Sequence, residues 1–376
     1  MKIMINLGTL KKGGGQNVGL NYLNVIFNGS FNLNNFVFVA PENSQIERFI
    51  LEHETAVNYY CVPQSPYKRI IFEKCKGPYL IKKFGVEIIY TIFGYGNYPK
   101  RVKQITGSAD SNLFFPEINF WSEYSGIKLL KKKIVDLYRI KALKKSHAVI
   151  FENKSMMSQS KILFGLDKVL FSQPSLNTVV ENSELQIPGL KVDSRKGLFL
   201  CSWQKNKNYL LIPELAAKFK DLGIYFQFVF TAPRDNSKEH KEFKILIDKY
   251  NVREEVLLIG TVNKEVLKSL YEQIDYVFLL SKLESFSNNI IESYYFGKIL
   301  VITDAKWSRS ICRDIALYVD RNDSREITQK IFDLEMNNRK KKSLEEKIKA
   351  EILAYPTMRE KVNKELKYIE SLYENN

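Results

Sequence analysis

The sequence predicts an α/β protein made of two consecutive doubly wound domains, each a parallel sheet with helices on both faces, facing a cleft. Three observations lead there. First, 376 residues that are 45 % hydrophobic and 13 % aromatic can fill large cores, and at roughly 100 to 200 residues per domain they make two. Second, short apolar runs alternate with helix-patterned segments, once from Lys2 onward and again from Lys196. Third, Gln173 to Arg195 between the two series carries Pro174 and Pro188 among mixed polar residues, the composition of a linker.

In order along the chain, Lys2 to Leu7 reads as a strand, Gly13-Gly14-Gly15 as a turn, and VGLNYLNVIF as a helix. NFVFVA (Asn35 to Ala40) and VEIIYTI (Val86 to Ile92) are further strands with helix-like stretches between them. In the second series GLFLC, IYFQFVFTA, EVLLIGT, DYVFLLS and KILVITD read as strands. Asn208 to Asp221, Lys238 to Tyr250, Lys264 to Gln273 and Asn289 to Phe296 read as the intervening helices. The expected domains are 1–175 and 196–350, with a linker over 176–195 and a charged helical tail over 351–376, broken at Pro356 and able to return to the first domain. Folds of this kind bind ligands at the carboxyl ends of their strands.

Lys and Arg number 57 against 42 Asp and Glu, a net charge of +15 that calls for an anionic partner. Cys61, Cys75, Cys201 and Cys312 lie far apart, with no C-x-x-C pair and three histidines in all, so a structural zinc site is not expected and a reducing compartment is. No run reaches the roughly 20 apolar residues of a membrane span. The amino terminus leads into lysines and glycines instead of a cleavage site, so the expected location is cytoplasmic.

The most informative stretch is SKLESFSNNIIESYYFGKILVITD, Ser281 to Asp304. Seven residues separate Glu284 from Glu292, and Ser285, Ser287, Asn288 and Asn289 crowd a strand-to-helix turn. Such a turn aims backbone N–H groups and a helix dipole at an anion, typically phosphate. Glu292, early on the helix, could accept from ribose hydroxyls; the plainer alternative is that both glutamates are solvated and the polar residues only cap the helix.

This pattern resembles the E-(seven residues)-E motif of GT-B glycosyltransferases, especially the retaining family four, of bacterial surface-polysaccharide type. Glu284-Ser285-Phe286-Ser287, Glu292, Gly297, Val301 and Asp304 fit its register, and Ile311 to Asp320 resembles the stretch that follows. The resemblance implies a two-domain Rossmann-like enzyme that takes a nucleotide-diphosphate sugar as donor substrate, without cofactor or metal. Glu292 would hold the ribose, while Glu284 and the backbone of Phe286 to Asn289 would face the sugar and its diphosphate. Lys205 and Lys207, on the loop after the first strand of the second domain, would supply the cations that face a leaving diphosphate; no Arg occupies that loop, and the family's usual glycine after Phe286 is Ser287. Gly260 and Thr261 match a strand end near the base, and Gly14 and Gly15 match the glycine loop of the first domain.

In place of the family's histidine after a strand near residue 105 stand Ala109 and Asp110. Asp110 is the candidate for positioning or activating the acceptor, and Gly107, Ala109 and Pro116 resemble a stretch found in bacterial polysaccharide transferases. Two other readings compete. Gly13, Gly15 and Gly19 with Glu42, or Tyr294 with Lys298, would suit an NAD(P)-dependent oxidoreductase or epimerase, and the missing His and Arg would suit a non-catalytic anion-binding protein. Finally, Lys100 to Ile150 holds eleven Lys or Arg against four Asp or Glu, and Lys128–Lys145 patterns as a basic amphipathic helix suited to an anionic membrane surface. With no RNA-binding motif, nucleic acid is not an expected partner. The expected acceptor is a carbohydrate or a lipid-linked one.

Overall fold

Strands buried on both faces must be apolar at every position, not at alternate ones. Phe36–Pro41, Phe226–Phe230 and Ile299–Thr303 are buried along their whole length in the computed structural model, which describes residues 1–53, 57–96, 98–99, 101–175 and 183–374. The chain divides into two units, Met1–Asn177 with Pro356–Asn376, and Thr178–Tyr355.

In the first unit β1 (Ile3–Asn6), α1 (Gly13–Asn28), β2 (Phe36–Pro41), α2 (Gln45–Glu52), β3 (Asn58–Val62), α3 (Pro66–Cys75) and α4 (Gly77–Phe84) come first. Then follow β4 (Ile88–Thr91), β5 (Lys103–Ser108), α5 (Gly126–Lys145), β6 (Ala148–Phe151), α6 (Lys154–Phe164) and β7 (Val169–Phe171). All seven strands run parallel, in the order β3-β2-β1-β4-β5-β6-β7. The helix expected to begin at Val18 instead begins at Gly13, so Gly14 and Gly15 form its first turn; Gly13 alone takes the left-handed conformation, at φ +68°. A first turn has no intrahelical partner for its N–H groups, so poor helix formers cost little there.

The second unit repeats the scheme with β8 (Arg195–Phe199), α7 (Ile212–Asp221), β9 (Phe226–Phe230), α8 (Lys238–Tyr250), β10 (Val256–Leu258), α9 (Leu267–Glu272) and β11 (Tyr276–Leu279). It continues with α10 (Asn288–Tyr295), β12 (Ile299–Thr303), α11 (Lys306–Cys312), β13 (Leu317–Val319), α12 (Ser324–Met336) and α13 (Asn338–Ile352). Its parallel order is β10-β9-β8-β11-β12-β13. Within β8 a Cβ on Gly197 would lie 2.5 Å from the Phe278 ring and 2.8 Å from that of Phe226, so only glycine allows these aromatics to close over the strand.

Of the expected linker, 176–182 lie outside the described residues. The rest is bound to the second unit: Ser183 N donates to the Glu265 carbonyl (3.1 Å), Leu185 N to Ser269 Oγ (3.0 Å), and Lys191 N and Ser194 Oγ to buried Gln227 Oε1 (2.8 and 2.9 Å). After α13 the chain returns to the first unit as α14 (Met358–Glu374).

Helix α14 brings two charges into the core of the first unit, where Lys361 is 5 % and Glu365 2 % exposed. Lys361 pairs with Glu152. Glu365 accepts from the Tyr90 hydroxyl (2.8 Å) and from Ser172 Oγ (2.5 Å). Burial raises the Glu365 carboxyl above its ordinary range, with Lys361 pulling it back. Removing one member of such a cluster strands the others without water. Lys361→Ala is therefore expected to lower the unfolding free energy of the first unit by about 3 to 5 kcal/mol, read from urea denaturation, while Lys191→Ala, in an exposed pair with Glu254 of the second unit, should leave the denaturation curve essentially unmoved.

Candidate functional site

Each sheet reverses its winding once, between β1 and β4 and between β8 and β11. At such a point the two neighbouring strands send their loops to opposite faces, which leaves a crevice at the carboxyl ends. In the second unit the two loops are 200–208 and 280–287, and of the expected site residues they hold Lys205, Lys207, Glu284, Ser285, Phe286 and Ser287.

Lys207 Nζ lies 2.6 Å from Glu284 Oε1, with both side chains 15 % exposed. Asn206 fixes the two loops together: its Nδ2 donates to the Leu283 carbonyl (3.1 Å) and to Glu284 Oε1 (3.4 Å), its Oδ1 accepts from Leu283 N (3.3 Å), and its carbonyl accepts from Lys282 N (2.9 Å). Arg321, just beyond β13, adds a second clamp, donating from Nε to the Leu280 carbonyl (2.9 Å) and from Nη2 to that of Asn206 (3.3 Å). Sequence reasoning missed both Asn206 and Arg321. The asparagines of the KNKN turn were the only local signal for the first, and nothing local marked the second.

Helix α10 opens at Asn288, four residues after Glu284, and Ser287 caps it by backbone conformation with no side-chain bond, so the positive dipole end of the helix lies beside Glu284 in the chain. Ser285, Phe286 and Asn288 are half-buried, Ser287 is buried, and buried Asn289 donates from Nδ2 to the Leu200 carbonyl at 3.0 Å, tying the helix start to the end of β8. Lys205 is exposed on the same loop as Lys207. Burial pushes the Cys201 thiol up to about 12, which favours its protonated form.

Glu292 lies one to two turns into α10, half-buried, and accepts from the Tyr271 hydroxyl at 2.9 Å. Burial raises its carboxyl, while the Tyr271 bond and the Lys264 charge oppose the rise; burial correspondingly lowers the Lys264 ammonium. Lys264 follows Gly260 and Thr261 on the chain leaving β10. Gly260 has φ +87° with open space where a Cβ would stand, and Thr261 is exposed.

In the first unit, exposed Gly14 and half-buried Gly15 stand on the chain leaving β1. Asp110 follows β5 and pairs with Arg139 of α5 at 3.2 Å; Arg139 also meets Asp136 at 3.3 Å. Burial raises the Asp110 carboxyl, Arg139 pulls it down and Asp136 pushes it up. Gly107 is a packing requirement, since a Cβ there would sit 3.1 Å from the Phe93 backbone nitrogen. Phe93 itself, at the end of β4, holds φ +49°, an uncommon conformation for a bulky residue. The dehydrogenase-like pair is not arranged for chemistry: Tyr294 is buried against Cys312, and Lys298 faces Asp275 and Glu272. Among the described residues no cluster of three His, Cys, Asp or Glu could hold a metal ion.

Two consecutive parallel doubly wound units are the architecture of the GT-B class of fold. Solved structures agree over the whole chain. A glycosyltransferase from Rickettsia africae superposes with TM-score 0.74 at 14 % identity, covering 100 % of this chain and 99 % of its own. A sucrose-phosphate synthase from Thermosynechococcus elongatus gives 0.73 at 11 % identity, covering 100 % of both chains. The Anabaena protein HepE in complex with UDP-glucose gives 0.68 at 13 % identity, covering 98 % of this chain and 99 % of its own. Residues 181–351, somewhat under half of the chain, match the family model of glycosyl transferases group 1. The comparison with curated proteins gives no match. The chain is thus a GT-B protein whose second unit carries the group 1 signature.

The bond from Tyr271 favours the ionised form of Glu292. Tyr271→Phe should therefore move the titration of the Glu292 carboxyl to higher pH, measured by NMR of a selectively carbon-13-labelled side chain; an unchanged titration would remove Tyr271 from the site.

Proposed function

We propose that this chain is a glycosyltransferase that moves a sugar from a nucleotide-diphosphate donor to a hydroxyl, with retention of configuration, in the synthesis of a bacterial cell-envelope polysaccharide or glycolipid. The group 1 match supports sugar transfer. The observation that carries the donor assignment is the junction of the β8 and β11 loops, where Lys207, Asn206 and Glu284 interlock beside the start of α10.

In this reading the nucleotide's diphosphate lies against the α10 amides with Lys205 and Lys207 as counter-charges, which offsets the negative charge that grows on the leaving oxygen and needs neither metal nor other cofactor. Glu292 accepts from the ribose. Glu284, steadied by Lys207 and Asn206, faces the sugar. The anomeric carbon gives up its bond to the diphosphate oxygen and gains one to the acceptor oxygen, whose proton passes to the departing phosphate. Asp110, whose carboxylate form the Arg139 charge favours against burial, orients the acceptor hydroxyl. The complexes of the Anabaena protein with UDP and UDP-glucose make uridine diphosphate sugars the first donors to try.

Glu292→Ala should abolish transfer from the preferred donor while the far-ultraviolet dichroism and melting temperature stay near those of the parent; full turnover in that variant would sink the donor assignment. The anomeric proton coupling in the product, followed by NMR from first turnover, should match that of the donor. Arg139→Ala leaves burial and Asp136 unopposed at Asp110. Protonation then persists to higher pH, so the acid limb of the rate profile should move up; an unmoved limb would remove Asp110 from the reaction.

A further inference from the structure

Helix α5 turns very little of itself toward the core: of its 20 residues Leu143 alone is buried. Ile127, Leu130, Ile134 and Leu137 are 73, 57, 56 and 66 % exposed. At 100° per residue these four fall on one side of the helix, opposite Leu143, and Lys141 and Lys145 continue the same side toward the carboxyl end. The helix carries seven Lys and one Arg against a single Asp. Arg139 and Asp136 turn inward, to Asp110 and to the indole of Trp121, and Lys132 lies over the Trp121 and Tyr124 rings. Lys131, Lys133, Lys141, Lys144 and Lys145 flank or extend the apolar stripe.

The stripe runs into a cavity of about 700 Å³ at the opposite end of β5 and β6 from Asp110. Lys74, Arg101, Lys103, Lys141, Lys145 and Lys168 line it, with no Asp or Glu among the described lining residues. His147 sits among them, with burial and the Lys168 and Lys103 charges holding its imidazole below its ordinary value, the response expected of a strongly positive pocket. Ordinary solvated helices do not expose four large aliphatics in register, and a nucleic-acid surface would have no use for them. No helix among the described residues is long and apolar enough to cross a membrane.

We infer that α5 is a membrane-docking helix that lies flat on an anionic lipid surface, with Ile127, Leu130, Ile134 and Leu137 entering the headgroup boundary and the basic cavity at its end receiving a lipid phosphate. Charge complementarity selects the occupant, because an apolar stripe rimmed by lysines matches acyl chains beneath acidic headgroups. The inference does not depend on the sugar-transfer reading. One geometric link joins them: Arg139 of the same helix holds Asp110, so docking would place the candidate acceptor residue at the rim of a bilayer.

The test is co-sedimentation of the full chain with vesicles of phosphatidylcholine alone or mixed with phosphatidylglycerol, alongside sedimentation velocity without lipid. The expected result is binding to the mixed vesicles only, weakened by salt. Lys141→Ser with Lys145→Ser should reduce it by on the order of ten-fold or more, and Leu130→Ser with Ile134→Ser should reduce it further, at unchanged melting temperature since all four residues are exposed. If the apolar variant fails to fold, the lysine variant decides alone. Binding to neither vesicle, or binding untouched by the variants, would overturn the inference. So would a dimer without lipid that Leu130→Ser dissociates while vesicles are ignored, because the stripe would then be an interface between copies, or retention on single-stranded RNA in place of vesicles.

Discussion

A parallel sheet can be covered on both faces only if its crossover helices go first to one side and then to the other, and the candidate donor site of this molecule depends on where that reversal falls. It falls between β1 and β4 in one unit and between β8 and β11 in the other. Right-handed crossovers leave no alternative to a parted pair of loops at each reversal. Lys207, Asn206 and Glu284 meet at the second because that is where a helix start and side chains from distant segments can converge without filling a core.

Convergence alone does not hold a charged group still. The second unit does this with neutral and cationic donors aimed at backbone carbonyls, Asn206 at Leu283 and Arg321 at Leu280 and Asn206. These bonds brace the loop backbone, so the Lys207–Glu284 pair can be partly open to solvent and still be positioned. The first unit uses a different device. There, Lys361 and Glu365 are buried beside Glu152, Tyr90 and Ser172, and the strand ends of β4, β6 and β7 are fixed to α14 by charge and hydrogen bonds as well as by the apolar contacts of Val362, Leu366 and Ile369. Replacing a charge in that cluster strands its partners, which gives the arrangement specificity at the expense of tolerance.

The central strands were legible in the sequence because burial on both faces imposes unbroken apolar runs such as FQFVF and ILVIT. The edge strands of the first sheet were not, although Val256–Leu258, at one edge of the second, was. Asn58–Val62 is mostly half-buried and Val169–Phe171 spans three half-buried residues, so neither carries the pattern that a central strand requires. Glu284 to Asn289 was legible as a strand-to-helix turn, and Glu292 by its spacing. The pairing of Lys207, itself legible as a loop cation, with Glu284 was not, nor was the clamp of Arg321 on Asn206: the pairs lie 77 and 115 positions apart, and a bond to a backbone carbonyl leaves no residue-type signal at the acceptor. Around α5 the lysines and the spacing of Leu130, Ile134 and Leu137 announced an amphipathic helix. Whether that apolar side faced the core or the solvent required the fold, because both produce the same periodicity.

The central claim is that the β8–β11 junction of a GT-B second unit holds a nucleoside diphosphate. Isothermal titration of the protein with UDP, GDP, ADP and CDP, and with NAD(P) as a control, repeated on Lys207→Ala, tests it most directly. The account predicts one-site binding of one diphosphate, weakened in the variant at unchanged stability. Binding of NAD(P) alone, or diphosphate binding that Lys207→Ala leaves intact, would contradict it.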